Sequence, residues 1–137
     1  MTLPFRFDAP GKDTIDIEGI RSVSYRADGL LHLTGDGVTL EWTETRTVDE
    51  VSLEGIGTRV SEGAPEYLDL PIERIAGARI IGGWWWPRLE LRSRGLDDFA
   101  EVPGSRGVTL RLRIQRRDRA LAHDIAQRIQ AGAAPNR

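Results

Sequence analysis

The chain has 137 residues, of which 39% are hydrophobic, and a formal net charge of −2, which is enough for one domain with its own core. It contains no cysteine, and this excludes disulfides, thiolate nucleophiles and cysteine-based metal sites. No window approaches the roughly 20 apolar residues that span a bilayer, and the N-terminus lacks the pattern of a signal peptide. We therefore expect a cytoplasmic protein with no transmembrane segment.

Charge is distributed unevenly along the chain. Residues 1–70 carry a balance of −8 and residues 106–137 a balance of +6. A basic end can bind phosphate, a membrane or an acidic partner. Because nucleic-acid-binding domains are usually strongly basic and this chain is slightly acidic, we expect no nucleic-acid partner.

The first 42 residues predict an arm followed by three antiparallel strands. Residues 1–11 are interpreted as an N-terminal arm or edge strand that ends at Pro10-Gly11. Asp28-Gly29 is a strong hairpin-turn signal, and a second turn is expected at Gly35-Asp36-Gly37. The alternating apolar positions are Leu3, Phe5 and Phe7, then Ile15, Ile17, Val23 and Tyr25, then Leu31 and Leu33, then Val38, Leu40 and Trp42.

The middle of the chain is less regular. Residues 43–66 fit either a strand, as Val51 and Leu53 suggest, or a mobile loop broken by glycines. Alternation returns at Leu68 and Leu70, and Pro71 suits a strand end or a sheet edge. Further strands are expected around Ile75, Ala78 and Ile80 and around Leu89 and Leu91, and Phe99 and Val102 are expected to pack in the core.

The C-terminal region predicts a strand followed by a helix. Residues 108–114 alternate strictly between apolar and polar side chains, as a half-buried strand does. A helix over about residues 117–131 follows, with Leu121, Ala122, Ile125, Ala126 and Ile129 as its apolar stripe. Asp118 is expected to cap its first turn and Gly132 to end it, which leaves residues 132–137 as a tail.

This layout of about seven antiparallel strands capped by one C-terminal helix resembles the pleckstrin-homology-like (PH-like) domain of the bacterial type. The similar segments are Leu70-Pro71-Ile72-Glu73-Arg74-Ile75-Ala76-Gly77-Ala78-Arg79-Ile80, Trp86-Pro87-Arg88-Leu89-Glu90-Leu91, and Gly107 to Ile114 followed by Asp118-Arg119-Ala120-Leu121-Ala122. The resemblance covers residues 12–131. It implies a single domain with a mainly β fold, a bent and partly open barrel with the helix at one end, used as a binding module.

The resemblance does not extend to phosphoinositide binding. Lipid-binding members of the family place several Lys and Arg in the loop between their first two strands. The corresponding turn in this chain is taken as Arg26-Ala27-Asp28-Gly29, which has one basic and one acidic residue. We therefore expect no phosphoinositide signature.

Trp84-Trp85-Trp86 is the strongest candidate for a binding surface. If a strand runs through it, Trp85 points inward with Leu89, while Trp84 and Trp86 stand exposed beside Arg88 as an interface patch. The alternative is that Gly82-Gly83 turns the rings onto the barrel as ordinary core. Phe5 and Phe7 of the arm complete the predicted interface.

Other polar groups are interpreted as solvated or structural. His32 and His123 lack the convergent partners that a metal site needs, and the pairs Asp49-Glu50 and Asp97-Asp98 lie in polar segments. The basic cluster is read as a solvated face, because no aromatic residues are interleaved in it; its members are Arg111, Arg113, Arg116, Arg117 and Arg119. No catalytic, cofactor-binding or metal-ligating residue is nominated, and no cofactor is expected.

The resulting expectation is a non-catalytic PH-like module that works through a protein partner or through self-association as a homo-oligomer. The alternative is a carrier of a small apolar ligand, held in the barrel interior or at a mouth near Trp42 and Trp85, since barrels of this size can hold one such ligand. An enzyme on this scaffold would need a convergent polar constellation, which the sequence does not reveal.

Overall fold

The computed structural model describes residues 1–16, 19–100, 102 and 105–133, without the side chains of residues 7–16 and 25. Its strands are β1 (Thr2–Asp16), β2 (Gly19–Leu33), β3 (Gly37–Ser52), β4 (Gly55–Glu62), β5 (Glu66–Pro71), β6 (Ile75–Ile81), β7 (Arg88–Ser93) and β8 (Thr109–Arg113). Short 3-10 turns cover Ile72–Arg74 and Arg116–Asp118, and the helix α1 covers Arg119–Ala133. The expected mainly β fold with one C-terminal helix is confirmed.

The strands form one antiparallel sheet that bends over a core without closing. Its order is β4-β3-β2-β1-β8-β7-β6, and β5 pairs with β3 beside β4. β4 pairs with the second half of β3 and β5 with the first half. β1 and β8 are joined at the registered pair Arg6 and Arg113. The sheet thus has two well-paired parts that meet at a narrow seam.

The core lies between these two parts and α1. The alternating apolar residues of β3, β7 and β8 are buried as their period predicts. The helix contributes its stripe, Ala122, Ile125, Ala126, Ile129 and Ala133. Phe99 and Val102 are buried between the strands, as expected. Burying a side chain the size of Phe99 is worth about 1.5–3 kcal/mol, so these residues hold the bent sheet together.

The N-terminal segment is neither an arm nor an edge strand. It belongs to β1, which lies inside the sheet between β2 and β8. Leu3 and Phe5 are buried in the main core, so the prediction that Phe5 forms an exposed interface is wrong. Phe7 belongs to β1, but its side chain is outside the described set. Pro10-Gly11 coincides with a shift of register in β1 rather than with its end.

The predicted hairpin turn at Asp28-Gly29 is also wrong. Both residues lie within β2, and Gly29 pairs with Trp42 of β3. A Cβ atom at Gly29 would overlap the carbonyl oxygen of Glu41 and crowd the Phe5 ring, so glycine is required here for close packing rather than for a turn. β1 ends at Asp16 and β2 begins at Gly19, so Asp28-Gly29 does not separate them. The predicted core position Ile17 is outside the described residues. Arg26-Ala27-Asp28-Gly29 is therefore not the loop between the first two strands.

Residues 43–52 form the second half of β3 and residues 55–62 form β4, so the strand interpretation of this region holds.

Both ends of the helix differ from the sequence prediction. Asp118 lies in the 3-10 turn before α1 rather than in its first turn. Gly132 lies inside the helix, and a Cβ there would sit 3.0 Å from Ile72, so this glycine allows the helix to approach the turn after β5.

The outer half of the sheet extends beyond the core. We call the distal sheet residues 19–26 of β2, 43–52 of β3 and all of β4. All eight β4 residues are exposed. Val48 is buried here but does not belong to the main core cluster. The distal sheet exposes a set of large apolar side chains: Ile20, Val51, Ile56 and Val60, with Leu53 in the β3–β4 turn.

Candidate functional site

The three consecutive tryptophans are held in a tight turn between β6 and β7. Gly82 has a φ of +83°, and a Cβ there would overlap the carbonyl oxygen of Trp86, so glycine is needed to start this turn. The Trp86 N–H donates to the carbonyl of Gly83 at 3.3 Å. After the turn, buried Pro87 accepts a hydrogen bond from the Ile114 N–H at 3.0 Å, which ties the turn to the end of β8.

All three indoles are exposed. Trp84, Trp85 and Trp86 retain 60%, 68% and 69% of their accessible surface. The sequence left two alternatives for Trp84 and Trp86, exposed or folded onto the barrel as core, and the structure has them exposed. The inward position predicted for Trp85 is wrong, because the three residues form a turn and strand alternation does not apply to them.

Each indole has an arginine over its ring. The guanidinium carbons of Arg119, Arg116 and Arg113 lie 4.9, 4.3 and 6.0 Å from the ring centres of Trp84, Trp85 and Trp86, respectively. Such contacts are worth about 0.5–1 kcal/mol each at exposed positions. We call these six residues the Trp–Arg face.

The spacing of the arginines explains how the face is built. Arg113 ends β8, and Arg116 and Arg119 follow at steps of three through the 3-10 turn into α1. A 3-10 turn has three residues per turn, so side chains three apart point the same way. Arg116 is exposed, as the solvated-face interpretation expects, but the premise that no aromatic residues accompany the cluster is wrong for Arg113, Arg116 and Arg119. Sequence reasoning missed their partners because the indoles come from a turn some thirty positions earlier.

An open groove of about 830 Å³ borders the Trp–Arg face. Trp85, Trp86, Phe5 and Ile114 are among its apolar lining residues. Its charged lining residues are Arg6, Arg88, Arg113, Arg116 and Asp28. Arg6 donates to Asp28 at 2.7 Å, which leaves the groove with a surplus of positive charge. Arg88, the remaining predicted interface residue, is exposed and lies opposite Arg113 in the sheet register.

The outer surface of β6, β7 and β8 is held by a carboxylate between two arginines. Glu90 is only 3% exposed and accepts from Arg79 at 2.8 Å and from Arg111 at 3.1 Å. Burial raises the pKa of Glu90, but the hydrogen bonds and charges of Arg79 and Arg111 outweigh it and hold that pKa below its usual range. Because Glu90 is saturated by these contacts, we assign it a structural role.

Asp98 is the centre of a second structural cluster. Arg74 donates to its carboxylate at 2.9 Å, and the Ser93 hydroxyl and the Gly95 N–H donate to the same group. The hydrogen bond from Arg74 is the main reason that the pKa of Asp98 lies below its usual range. The cluster ties the residues after β7 to the 3-10 turn before β6, and its neighbour Asp97 is exposed.

The remaining polar candidates are brought into ordinary surface contacts. His32 is half-buried between Thr2 and Glu41, each at 3.1 Å, and His123 is exposed. Asp49 accepts from Thr58 at 2.8 Å, and Glu50 pairs with Arg21. Within the part of the chain that the structure describes, no group of three or more acidic or histidine side chains is placed to hold a metal ion.

The two tryptophans proposed to share a barrel mouth lie apart. Trp85 lines the groove beside the Trp–Arg face. Trp42 is buried and lines a separate groove of about 670 Å³ together with residues of β5 and with Asp97, Asp98, Ala100 and Val102. The mouth near Trp42 and Trp85 is therefore not a single site.

Comparison with known protein families, with curated proteins and with solved structures finds no match to this chain. Among the helices of the described residues, none has the length and apolar content needed to cross a bilayer.

Proposed function

We propose that this chain is a non-catalytic binding module that associates with another protein through the Trp–Arg face, and that it recognises a segment rich in acidic and apolar side chains. The observation that carries the proposal is the set of three exposed indoles, each with an arginine over its ring. Tryptophan and arginine are the residue types most enriched among the dominant contacts of protein interfaces.

The chemistry of the face favours an acidic partner. A guanidinium stacked on an indole still presents N–H donors at its edge, and these match the geometry of a carboxylate. The stacking holds the long side chains in place, so less conformational entropy is lost when a partner binds. The groove beside Trp85 and Trp86 has apolar lining residues, which can contact the apolar side chains that lie between the carboxylates of the partner segment.

We also propose that the module is PH-like. The sheet order supports this proposal: β1 to β4 form a meander, β5 also pairs with β3, and β6 to β8 form a second meander before the closing helix. The helix packs chiefly on β6, at the end of the sheet away from the distal strands.

The proposal is tested by titrating the protein with a synthetic peptide that alternates Asp or Glu with Leu or Phe, and following tryptophan emission. Trp42 is buried, so a change in emission on binding reports mainly on Trp84, Trp85 and Trp86. We expect saturable binding that weakens as salt is raised. A peptide with Lys in place of every acidic residue serves as the charge control.

Variants assign the binding to the face. We expect Trp85→Ala to weaken binding of the acidic peptide by about tenfold or more, and Arg116→Gln by a smaller factor. Arg128→Gln is the matched control, because Arg128 is an exposed arginine of α1 paired with Asp124. Equal affinity for the acidic and lysine peptides, or tighter binding to a single-stranded oligonucleotide, would contradict the proposal.

A second candidate function is supported by the groove itself. Its volume of about 830 Å³ and its aromatic lining suit a small apolar or amphiphilic molecule. Titration with fatty acids and with aromatic probes tests this carrier function by the same tryptophan signal. Saturable binding that Trp85→Ala abolishes would support it, and an unchanged emission spectrum would count against it.

A further inference from the structure

We propose that two copies of this chain associate through the outer edges of β4, in an antiparallel register that places Thr58 opposite Thr58 of the second copy. This inference concerns a different surface from the Trp–Arg face. β4 ends one side of the sheet order, whereas the indoles lie beside β7 and β8 on the other side of the seam.

The free edge of β4 is eight residues long and contains no bulge. β4 pairs with β3 over all eight of its residues without a shift of register. It contains no proline, and all of it is exposed. Soluble proteins usually protect such an edge with charged side chains, proline, bulges or covering elements, because its unpaired backbone groups are a template for another strand. Of these devices, β4 has the charged residues Arg59 and Glu62 but neither a proline nor a bulge.

The opposite end of the sheet shows such protection. The side chain of Gln130 from α1 accepts a hydrogen bond at 3.0 Å from the Ala78 N–H of β6. Among the described residues, no strand or helix covers the outer edge of β4 in this way. We assign the partner strand to this uncovered edge.

The hydrogen-bonding phase of β4 identifies which groups point outward. Thr45 pairs with Glu62, so Glu44 and Gly63 are the next pair, and the Gly63 N–H donates to Glu44 at 2.8 Å. Hydrogen-bonded pairs alternate in an antiparallel ladder, so odd-numbered residues of β4 bond to β3. The even-numbered residues turn their N–H and C=O groups to the free edge: Ile56, Thr58, Val60 and Glu62.

The exposed apolar side chains lie at the same edge. Ile20, Val51 and Ile56 are direct neighbours across β2, β3 and β4, and Val60 lies on the same face. Their exposed fractions are 51%, 48%, 83% and 66%. A second copy of the chain supplies the matching strand and the matching apolar residues, because a two-fold interface is self-complementary.

The sequence of β4 selects the register. With Thr58 opposite Thr58, Ile56 lies opposite Val60 of the second copy and Arg59 lies opposite Gly57. Two neighbouring registers also align the outward groups. One places Arg59 opposite Arg59, and like charges directly opposite are destabilising. The other places Gly57 opposite Gly57 and loses the contact between Ile56 and Val60. In the chosen register Glu62 faces Glu54, which lies in the turn outside the strand, so this repulsion falls at the ends. About six backbone hydrogen bonds join the two strands.

The first test is the molar mass by size-exclusion chromatography with light scattering, over loading concentrations from about 1 µM to about 1 mM. We expect a shift from monomer to dimer within this range. Thr58→Pro should abolish the dimer without disrupting the β3–β4 ladder, because the N–H it removes points outward. Thr58→Val is the control and should still dimerise. A monomer at every concentration would overturn the proposal.

Cross-linking tests the register, since the chain has no native cysteine. Directly opposite residues of a hydrogen-bonded pair have Cα atoms about 5.5 Å apart, a distance that a disulfide spans. We expect Thr58→Cys to form a covalent dimer under mild oxidation at least about tenfold faster than Arg59→Cys. The reverse order would overturn the register. Trp84→Ala should leave the dimer intact, because Trp84 lies outside the β4 edge. The dimer proposal and the proposal of binding through the Trp–Arg face can therefore be refuted separately.

Discussion

Glu90 is buried on the outer surface of the sheet between two guanidinium groups, so its charge is coupled to folding. Its pKa in the folded chain lies below the value of about 4.3 expected when it is unfolded. The ionised form therefore stabilises the fold at pH values above about 4.3, and this contribution is lost as the pH falls through the lower folded pKa. Asp98 has a lowered pKa and adds to the same acid dependence.

We expect Glu90→Gln to destabilise the protein at pH 7 and to flatten its loss of stability in acid. The amide keeps one acceptor but turns a donor toward an arginine. The cost at pH 7 should lie near the lower end of about 1–3 kcal/mol, because Arg79 and Arg111 remain half or more exposed to water. Urea unfolding at a series of pH values measures both effects. Glu73→Gln, at an exposed acid, is the control. If Glu90→Gln lost stability in acid as steeply as the unmodified protein, the expectation would be contradicted.

Gly29 tests whether close packing rather than turn geometry requires glycine in β2. Replacement by alanine forces a Cβ against the Glu41 carbonyl and the Phe5 ring, and we expect a loss of about 1–3 kcal/mol. Gly57→Ala is the matched control in another strand, since no atom lies within 4 Å of its Cβ position. Urea denaturation of both variants measures the difference. Equal stability of the two would contradict the packing explanation.

Among the elements, β6 depends on a side chain of the helix for its outer edge. We expect Gln130→Ala to expose the Ala78 N–H, to cost about 1 kcal/mol and to speed hydrogen exchange at that amide. Gln127→Ala, at an exposed residue of the same helix, should change neither quantity. Exchange measured by NMR at Ala78 gives the result, and unchanged protection would mean that water or other groups satisfy this N–H equally well.

The elements also show what the sequence could predict. The alternation of β8 and the stripe of α1 led to the correct structures, because each covers one face of the core and burial follows the period. The hairpin turn predicted at Asp28-Gly29 was wrong, because the local turn signal is outweighed by packing against Phe5 and Trp42, which are distant in sequence. The sequence offered the exposure of Trp84 and Trp86 only as one of two alternatives, because the strand register next to Pro87 was not fixed. Their stacking on Arg116 and its neighbours could not be predicted, since it depends on a contact between the β6–β7 turn and the end of β8, which are about thirty residues apart in sequence.

At the scale of the whole molecule, the sheet has a packed half and a half without the main core. The buried residues of β2 and β3 in the core cluster are Ala27 and Leu31, and Val38, Leu40 and Trp42. Beyond them the distal sheet is held mainly by its backbone ladder and cross-strand pairs. Regions with few buried contacts open locally at a lower free energy than the global unfolding transition.

We therefore expect amide exchange to divide β2 near residue 27. At concentrations below dimerisation, residues 19–26 should exchange at least about tenfold faster than residues 27–33, although both belong to one continuous strand. Exchange followed by mass spectrometry measures this, with β7 and β8 as the slowly exchanging reference. Raising the protein concentration should then slow exchange selectively in β4, because pairing of its edge removes the outward N–H groups from water. Uniform protection along β2 would show instead that the ladder alone makes the distal sheet part of the cooperative core.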